Sequence, residues 1–201
     1  MKKTLKRMRD NGFTVVEVDT KEQARDYLLS AIPKGSTVGV SGTASVRETG
    51  VLPALMERGY EVFSHWDVPA EEVKATRLKA NGADVYLTSA NAVTKHGELV
   101  LIDGSGNRAA AIAFGPQQVF FIVSRSKWVD GGYGKAVARI KKVACPPNAR
   151  RQGLDTPCGH TGICDPEACG DSTMCRITMV VEKPPRGRKM TVVFVSENLG
   201  Y

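Results

Sequence analysis

Four thiols fall within an eighteen-residue stretch, at Cys158, Cys164, Cys169 and Cys175. Gly159, Gly162, Pro166 and Gly170 lie between them and let the chain fold back so that the sulfurs can converge. Four thiolates can hold a tetrahedral zinc ion or an iron–sulfur cluster. The spacing Cys-x5-Cys-x4-Cys-x5-Cys matches neither the paired Cys-x2-Cys of common zinc sites nor the bacterial ferredoxin run, so it points to a metal without choosing one. Structural or redox thiols are the alternative. His160 is an optional further ligand, and Cys145, set apart at a helix end, reads as a small buried hydrophobe, with a place in the cluster through the fold as the alternative.

A second kind of chemistry is written at Ser41-Gly-Thr-Ala-Ser45. The apolar run Ser36–Val40 leads into this small polar turn, and a helical pattern through Val46, Thr49, Leu52 and Leu55 follows. Strand, small-residue turn and helix form an anion-binding arrangement. The free amides and positive helix end face the turn, and Ser41, Gly42, Thr43, Ala44 and Ser45 let a phosphate or carboxylate approach. The Gly-Lys-Ser/Thr ending of a P-loop is missing. Ordinary N-capping by Ser41 or Thr43 is the alternative. Arg47 and Glu48 sit in the first turn of that helix, Arg47 as a further candidate ligand-binding residue and Glu48 as a further candidate base.

The third candidate region runs from Asp84 to Trp128. Three short apolar runs, Asp84–Ser89, Glu98–Ile102 and Val119–Val123, read as strands separated by Gly, Pro, Asn and Asp. The loops between them carry Asn91, Thr94, Asn107, Arg108 and Lys127, groups able to orient a polar ligand, although Asp-Gly and Gly-Asn are also ordinary turn residues. Glu98 and Asp103 are the nearby carboxylates that could act as a general base or nucleophile.

Asn91-Ala-Val-Thr, Gly97-Glu-Leu-Val, Asp103-Gly-Ser-Gly-Asn-Arg108, Phe114-Gly-Pro116, Ala149-Arg-Arg151 and Val195-Ser-Glu-Asn-Leu-Gly-Tyr201 together resemble the LUD-domain family of lactate-utilisation-type proteins. The same order of features is similar to the wider group of ribose-5-phosphate isomerases, glucosamine-6-phosphate deaminases and CoA transferases. The resemblance implies a protein of lactate or related organic-acid metabolism that binds a small anionic metabolite, and it tilts the metal toward iron–sulfur, with iron–sulfur redox proteins as partners. Direct isomerase or transferase chemistry is the alternative. Many LUD proteins read Ala-Glu-Thr-Gly where this chain reads Thr94-Lys95-His96-Gly97, so the carboxylate expected at Lys95 is absent.

The elements that must position these groups alternate. Phe13–Val18 is a strand and is followed by a helix capped at Asp19 or Thr20. Tyr60–Phe63 is a strand that ends at His65-Trp66, a pair that could line a pocket. Pro69–Asn81 is helical, with Pro53 expected to kink or shorten the helix before it. A helix through Lys135–Val143 is interrupted by Cys145-Pro-Pro147, and two strands, 177–182 and 190–196, close the chain. Alternation of this kind predicts an α/β domain with a mainly parallel sheet flanked by helices, ribose-5-phosphate isomerase/CoA transferase-like, over residues 1–201 with the Cys-rich segment 154–176 as an insertion. Ligands bind such sheets beyond the carboxyl ends of their strands.

The chain has 201 residues, 42% hydrophobic and 24% charged, with a formal charge of +7. That charge favours anionic ligands. The basic clusters at 2–9 and 183–189 lack interleaved aromatics, which argues for solvated faces over nucleic acid. No run reaches the roughly 18 apolar residues of a membrane span, and no apolar signal core follows the basic N-terminal residues. A cytoplasmic protein is expected, with a homo-oligomer left open.

Overall fold

The computed structural model describes residues 1–201. In chain order the elements are α1 (Lys2–Asp10), β1 (Thr14–Val18), α2 (Lys21–Ala31), β2 (Val38–Val40), α3 (Ala44–Arg47), α4 (Val51–Glu57), β3 (Val62–Ser64), α5 (Val73–Asn81), β4 (Val85–Thr88), β5 (Ala92–Val93), β6 (Leu99–Asp103), α6 (Asn107–Ala113), β7 (Gln118–Ser124), α7 (Tyr133–Arg139), α8 (Cys145–Arg151), α9 (Pro157–Thr161), β8 (Ile177–Val181) and β9 (Lys189–Val195). Six strands form one sheet in the order β1-β9-β7-β4-β2-β3, and every pairing in it is parallel. The expected class, an α/β domain with a mainly parallel sheet flanked by helices, is what the chain forms. No helix is long and apolar enough to cross a membrane.

Strand alternation builds the core on both faces of this sheet. Val38, Val40, Leu87, Ile122 and Val193 face the side covered by α2 and α4, while Tyr86, Phe121, Val123, Val192 and Phe194 face the other. Side chains two apart share a face, so runs apolar at every position are those buried on both sides. The two closing strands part company. β9 is inserted between β1 and β7, whereas β8 pairs antiparallel with β6 and, with β5, makes a separate three-stranded sheet.

Four local expectations change. The helix after the Ser41 turn is broken at Gly50, whose φ of 70° stops α3 after a single turn. Pro53 then falls in the first turn of α4, where its missing N–H costs no helical bond, so no kink results. Cys145-Pro-Pro147 does not interrupt its helix either. A π-helical turn, Ile140–Ala144, joins α7 to α8, and the prolines occupy the first turn of α8. The late basic loop is only partly solvated, because Arg188 donates to the carbonyls of Ala111, Ile112 and Pro116 around the end of α6.

The Cys-rich segment is anchored by a small core of its own. Ala136, Ile140, Ala144, Cys145, Ala149 and Cys158 pack together against Ala92 and Val100 of the small sheet. Asn148 Nδ2 donates to Met174 Sδ, and the Arg176 amide donates to the Asp103 carbonyl, which ties the segment to β6.

Candidate functional site

Because all six strands of the main sheet run the same way, their carboxyl ends share one edge. Ser41 leaves β2, His65 and Trp66 leave β3, Ser89 leaves β4, Lys127 follows β7, and Leu199–Tyr201 follow β9. β3 and β4 lie on opposite sides of β2, so the chain changes direction there and opens a crevice. Ser41 Oγ spans it, 3.0 Å from Thr88 Oγ1. A cleft of about 410 Å³ lies along this edge. Its charged lining is Arg77, Arg108, Lys127 and Arg151 against the single carboxylate of Asp103.

Lys127 is the most constrained of these groups. Its side chain is buried, and Nζ donates to Ser45 Oγ at 2.7 Å and to Ser89 Oγ at 3.1 Å. No carboxylate is bonded to it; the salt bridges of the chain all lie elsewhere. Burial, helped by the positive charges of Arg139 and Arg108 and only partly opposed by Glu48, pulls its pKa from 10.5 down to about 7. Glu48 is engaged by the Gly200 amide at 2.8 Å. Gly200 lies so close to the lysine pair that a Cβ there would meet Ser45 Oγ at 2.4 Å, and its φ of 58° also favours glycine.

The loop after β2 keeps part of its expected role. The Gly42, Ala44 and Ser45 amides donate to no backbone carbonyl, while Thr43 N is taken by Ser41 O. Gly42, Thr43, Ala44 and Ser45 line the cleft and Ser41 stands behind them. With α3 only four residues long, the dipole behind the loop is that of one turn, and the free amides carry the attraction. Gly42 is needed for packing: a Cβ there would stand 2.3 Å from the indole nitrogen of Trp66.

Asn91, Asp103, Asn107 and Arg108 reach the cleft, but they also hold one another. Asn91 Oδ1 accepts from the Ile102 amide at 3.1 Å and from Arg108 Nη2 at 3.0 Å, and Arg108 donates again to the Ile102 carbonyl. Asp103 Oδ2 accepts from the Ala109 amide at 2.9 Å, satisfying a free donor in the first turn of α6. Thr94 and Glu98 are elsewhere. They bond to each other at 2.7 Å in the tight turn of the β5–β6 hairpin, next to α1. Glu98 and Asp103 are five residues apart along an extended strand, about 17 Å at about 3.4 Å per residue. One small ligand therefore meets Asp103 and not Glu98.

The opposite wall holds groups that the sequence reading passed over or left open. Trp66 lines the cleft and Arg47 stacks on it, with the guanidinium carbon 4.8 Å from the ring, as does Arg151, at 4.0 Å. Trp66 Nε1, His65 Nδ1 and Arg77 Nε are buried and have no protein hydrogen-bond partner. Arg77 comes from α5, where nothing in a solvated helical pattern marks it. Arg151 ends α8 and was visible only as part of a family motif.

The thiols are arranged differently from the expectation. Cys145 and Cys175 converge, with 3.5 Å between their sulfurs. The two thiols share a hydrogen bond, and the pairing pulls Cys175 down toward the thiolate and pushes Cys145 up. Cys158 bonds to Thr156, and no three His, Cys, Asp or Glu side chains converge on one point. The four thiols Cys158, Cys164, Cys169 and Cys175 are not drawn to one point here, and Cys175 is paired with Cys145 instead. Cys145, which the sequence set apart, sits at the heart of the group and lines the cleft as well.

The LUD-domain family model matches residues 1–195. A DUF162-family protein from Deinococcus radiodurans has a similar solved structure, with a TM-score of 0.57 at 15% identity, covering 97% of this chain and 95% of that one. Ribose 5-phosphate isomerase A from Neisseria gonorrhoeae aligns over 55% of this chain and 53% of its own, with a TM-score of 0.36 at 19% identity. No curated protein matches. With the family model spanning nearly the whole chain and the fold shared from end to end with a DUF162 protein, this chain belongs to the LUD-domain family.

Proposed function

We propose that this LUD-domain protein binds a small anionic metabolite, a carboxylate or phosphate of organic-acid metabolism such as lactate, in the cleft at the carboxyl edge of its parallel sheet. The observation that carries this reading is the charge of that cleft, three guanidinium groups and the Lys127 amine facing one carboxylate that is already bonded to a backbone amide. A charged ligand meets such groups in a partly enclosed space, where each charge-assisted bond is worth more than in water. Ser45, Asn107, Arg108 and Lys127 would hold one end, and the unpartnered donors of Trp66 and Arg77 the other. Titration of the protein with phosphate, lactate and pyruvate tests this. Heat of binding, with shifts of the 42–47 amides in NMR, is expected; flat titrations for all three would refute it.

Within the same proposal the cysteines bind a metal ion or iron–sulfur cluster as part of a redox system, in a set that includes Cys145. The support is the Cys145–Cys175 separation of 3.5 Å. Two thiolates on one tetrahedral zinc, each about 2.3 Å from the ion, stand about 3.8 Å apart. Cys158 and Cys164 are near enough for their charges to bias Cys145. Bound metal would join segment 154–176 to α8 and β6, and five free thiols suit a reducing, cytoplasmic setting. Protein purified without oxygen is expected to carry iron or zinc that falls at least by half in Cys145→Ser and in Cys175→Ser. Metal-free wild type would refute it.

Isomerase or CoA-transferase chemistry is the second reading, and Asp103 is the carboxylate that favours it, because it alone faces the cleft.

A further inference from the structure

Lys127 is more than a positive charge in the cleft wall. A lysine kept for charge alone is usually paired with a carboxylate or left in water, since burying an unpaired ammonium is costly. Here the amine is 2% exposed and bonded only to two neutral hydroxyls, those of Ser45 and Ser89. The charges facing it are Arg108, which lines the same cleft, Arg139 from α7, and Glu48, which is turned toward the Gly200 amide. Two cations and a dry setting favour the neutral amine, the form with a lone pair free to attack. An electrophile bound in the cleft meets this nitrogen with a guanidinium beside it.

We propose that Lys127 is a nucleophile that forms an imine with the carbonyl carbon of a 2-oxo acid, whose carboxylate is held by Arg108. The inference rests on the anion-binding reading of the cleft. The nitrogen lone pair forms the C–N bond while the carbonyl π electrons move to oxygen. Ser45 Oγ, 2.7 Å from the amine, relays the proton that nitrogen loses to that oxygen. The carbinolamine hydroxyl then takes the remaining N–H proton, again through Ser45 Oγ, and leaves as water as the nitrogen lone pair forms the C=N bond. No oxidant or reductant is needed, and hydrolysis reverses the step. Addition to the imine, or loss of a proton from the carbon next to it, are the reactions such an adduct makes easier.

Pyruvate with cyanoborohydride at pH 7 tests the proposal on the intact protein. Reduction fixes the imine as a secondary amine that carries the mass of pyruvic acid less one oxygen, and peptide mapping locates it. With an amine titrating near 7, about half is neutral, against on the order of one in a few thousand for an ordinary lysine. Set against its lower basicity, the advantage at Lys127 over each exposed lysine is on the order of a hundredfold. Labelling concentrated at Lys127, and lost in Lys127→Met, supports the proposal. Labelling at Lys127 no greater than at exposed lysines overturns it. Calorimetry with pyruvate separates the two readings in that event: retained binding removes the imine alone, and absent binding removes the anion site with it.

Discussion

Replacing Lys127 by methionine should make the protein more stable at neutral pH and less stable in alkali. Above pH 10.5 the amine is neutral whether the chain is folded or not. Between about 7 and 10.5 the unfolded chain holds a proton that the folded chain refuses, so wild-type stability rises with pH across that window and is lowest below it. The fall from 10.5 to about 7, at about 1.36 kcal/mol per pH unit, places about 5 kcal/mol of destabilisation in the folded state at low pH. Methionine keeps the apolar stem and has no charge to lose. It forfeits the two hydrogen bonds, about 1 kcal/mol each, without orphaning either hydroxyl, since Ser45 still donates to the Leu199 carbonyl and Ser89 to that of Ala90. The variant should therefore gain about 2 kcal/mol at pH 7 and lose about 2 kcal/mol above pH 10.5, the two curves crossing near pH ~9. Urea unfolding of both proteins from pH 6.5 to 11 measures this, and every other titrating group cancels in the difference. A difference independent of pH would show that Lys127 titrates like an exposed lysine, and the account of its burial would fall.

Arg151→Ala removes an exposed guanidinium that stacks on Trp66; phosphate should bind about tenfold more weakly by calorimetry, with the urea midpoint unchanged. Glu98→Gln, at the far turn of the hairpin, should leave anion binding as it is, whereas Asp103→Ala should cost about 1 kcal/mol of stability through the lost bond to the Ala109 amide and also change ligand affinity. Gly42→Ala drives a methyl into the Trp66 indole, so a loss of about 1–3 kcal/mol and a changed Trp fluorescence spectrum are expected.

Much of the fold follows from local pattern. Alternating apolar runs with β-branched residues, and helices entered through caps such as Thr20 with Gln23, declare an α/β chain because each element states its own period. The Ser41–Ser45 turn and Lys127 were also legible, since strand ends in a parallel sheet share one edge whatever the helices do; the Asp103–Arg108 turn follows β6 of the small antiparallel sheet, and only the packing of that sheet brings it to the cleft. The sequence showed that four thiols are clustered, too, because that is a matter of spacing along the chain. Which sulfurs meet is a matter of space. Cys145 reaches Cys175 because a π turn carries α7 into α8 and because β8 pairs with β6, and neither is written near either cysteine. The two carboxylates were equal candidates in sequence; the hairpin register decides between them by placing Glu98 at one end and Asp103 at the other. Arg77 and Arg151 enter the cleft from helices whose local sequence looks solvated. The state of Lys127 is likewise tertiary, because a lysine loses its proton only when distant segments, here the ends of β2, β4 and β9, close around it and exclude water.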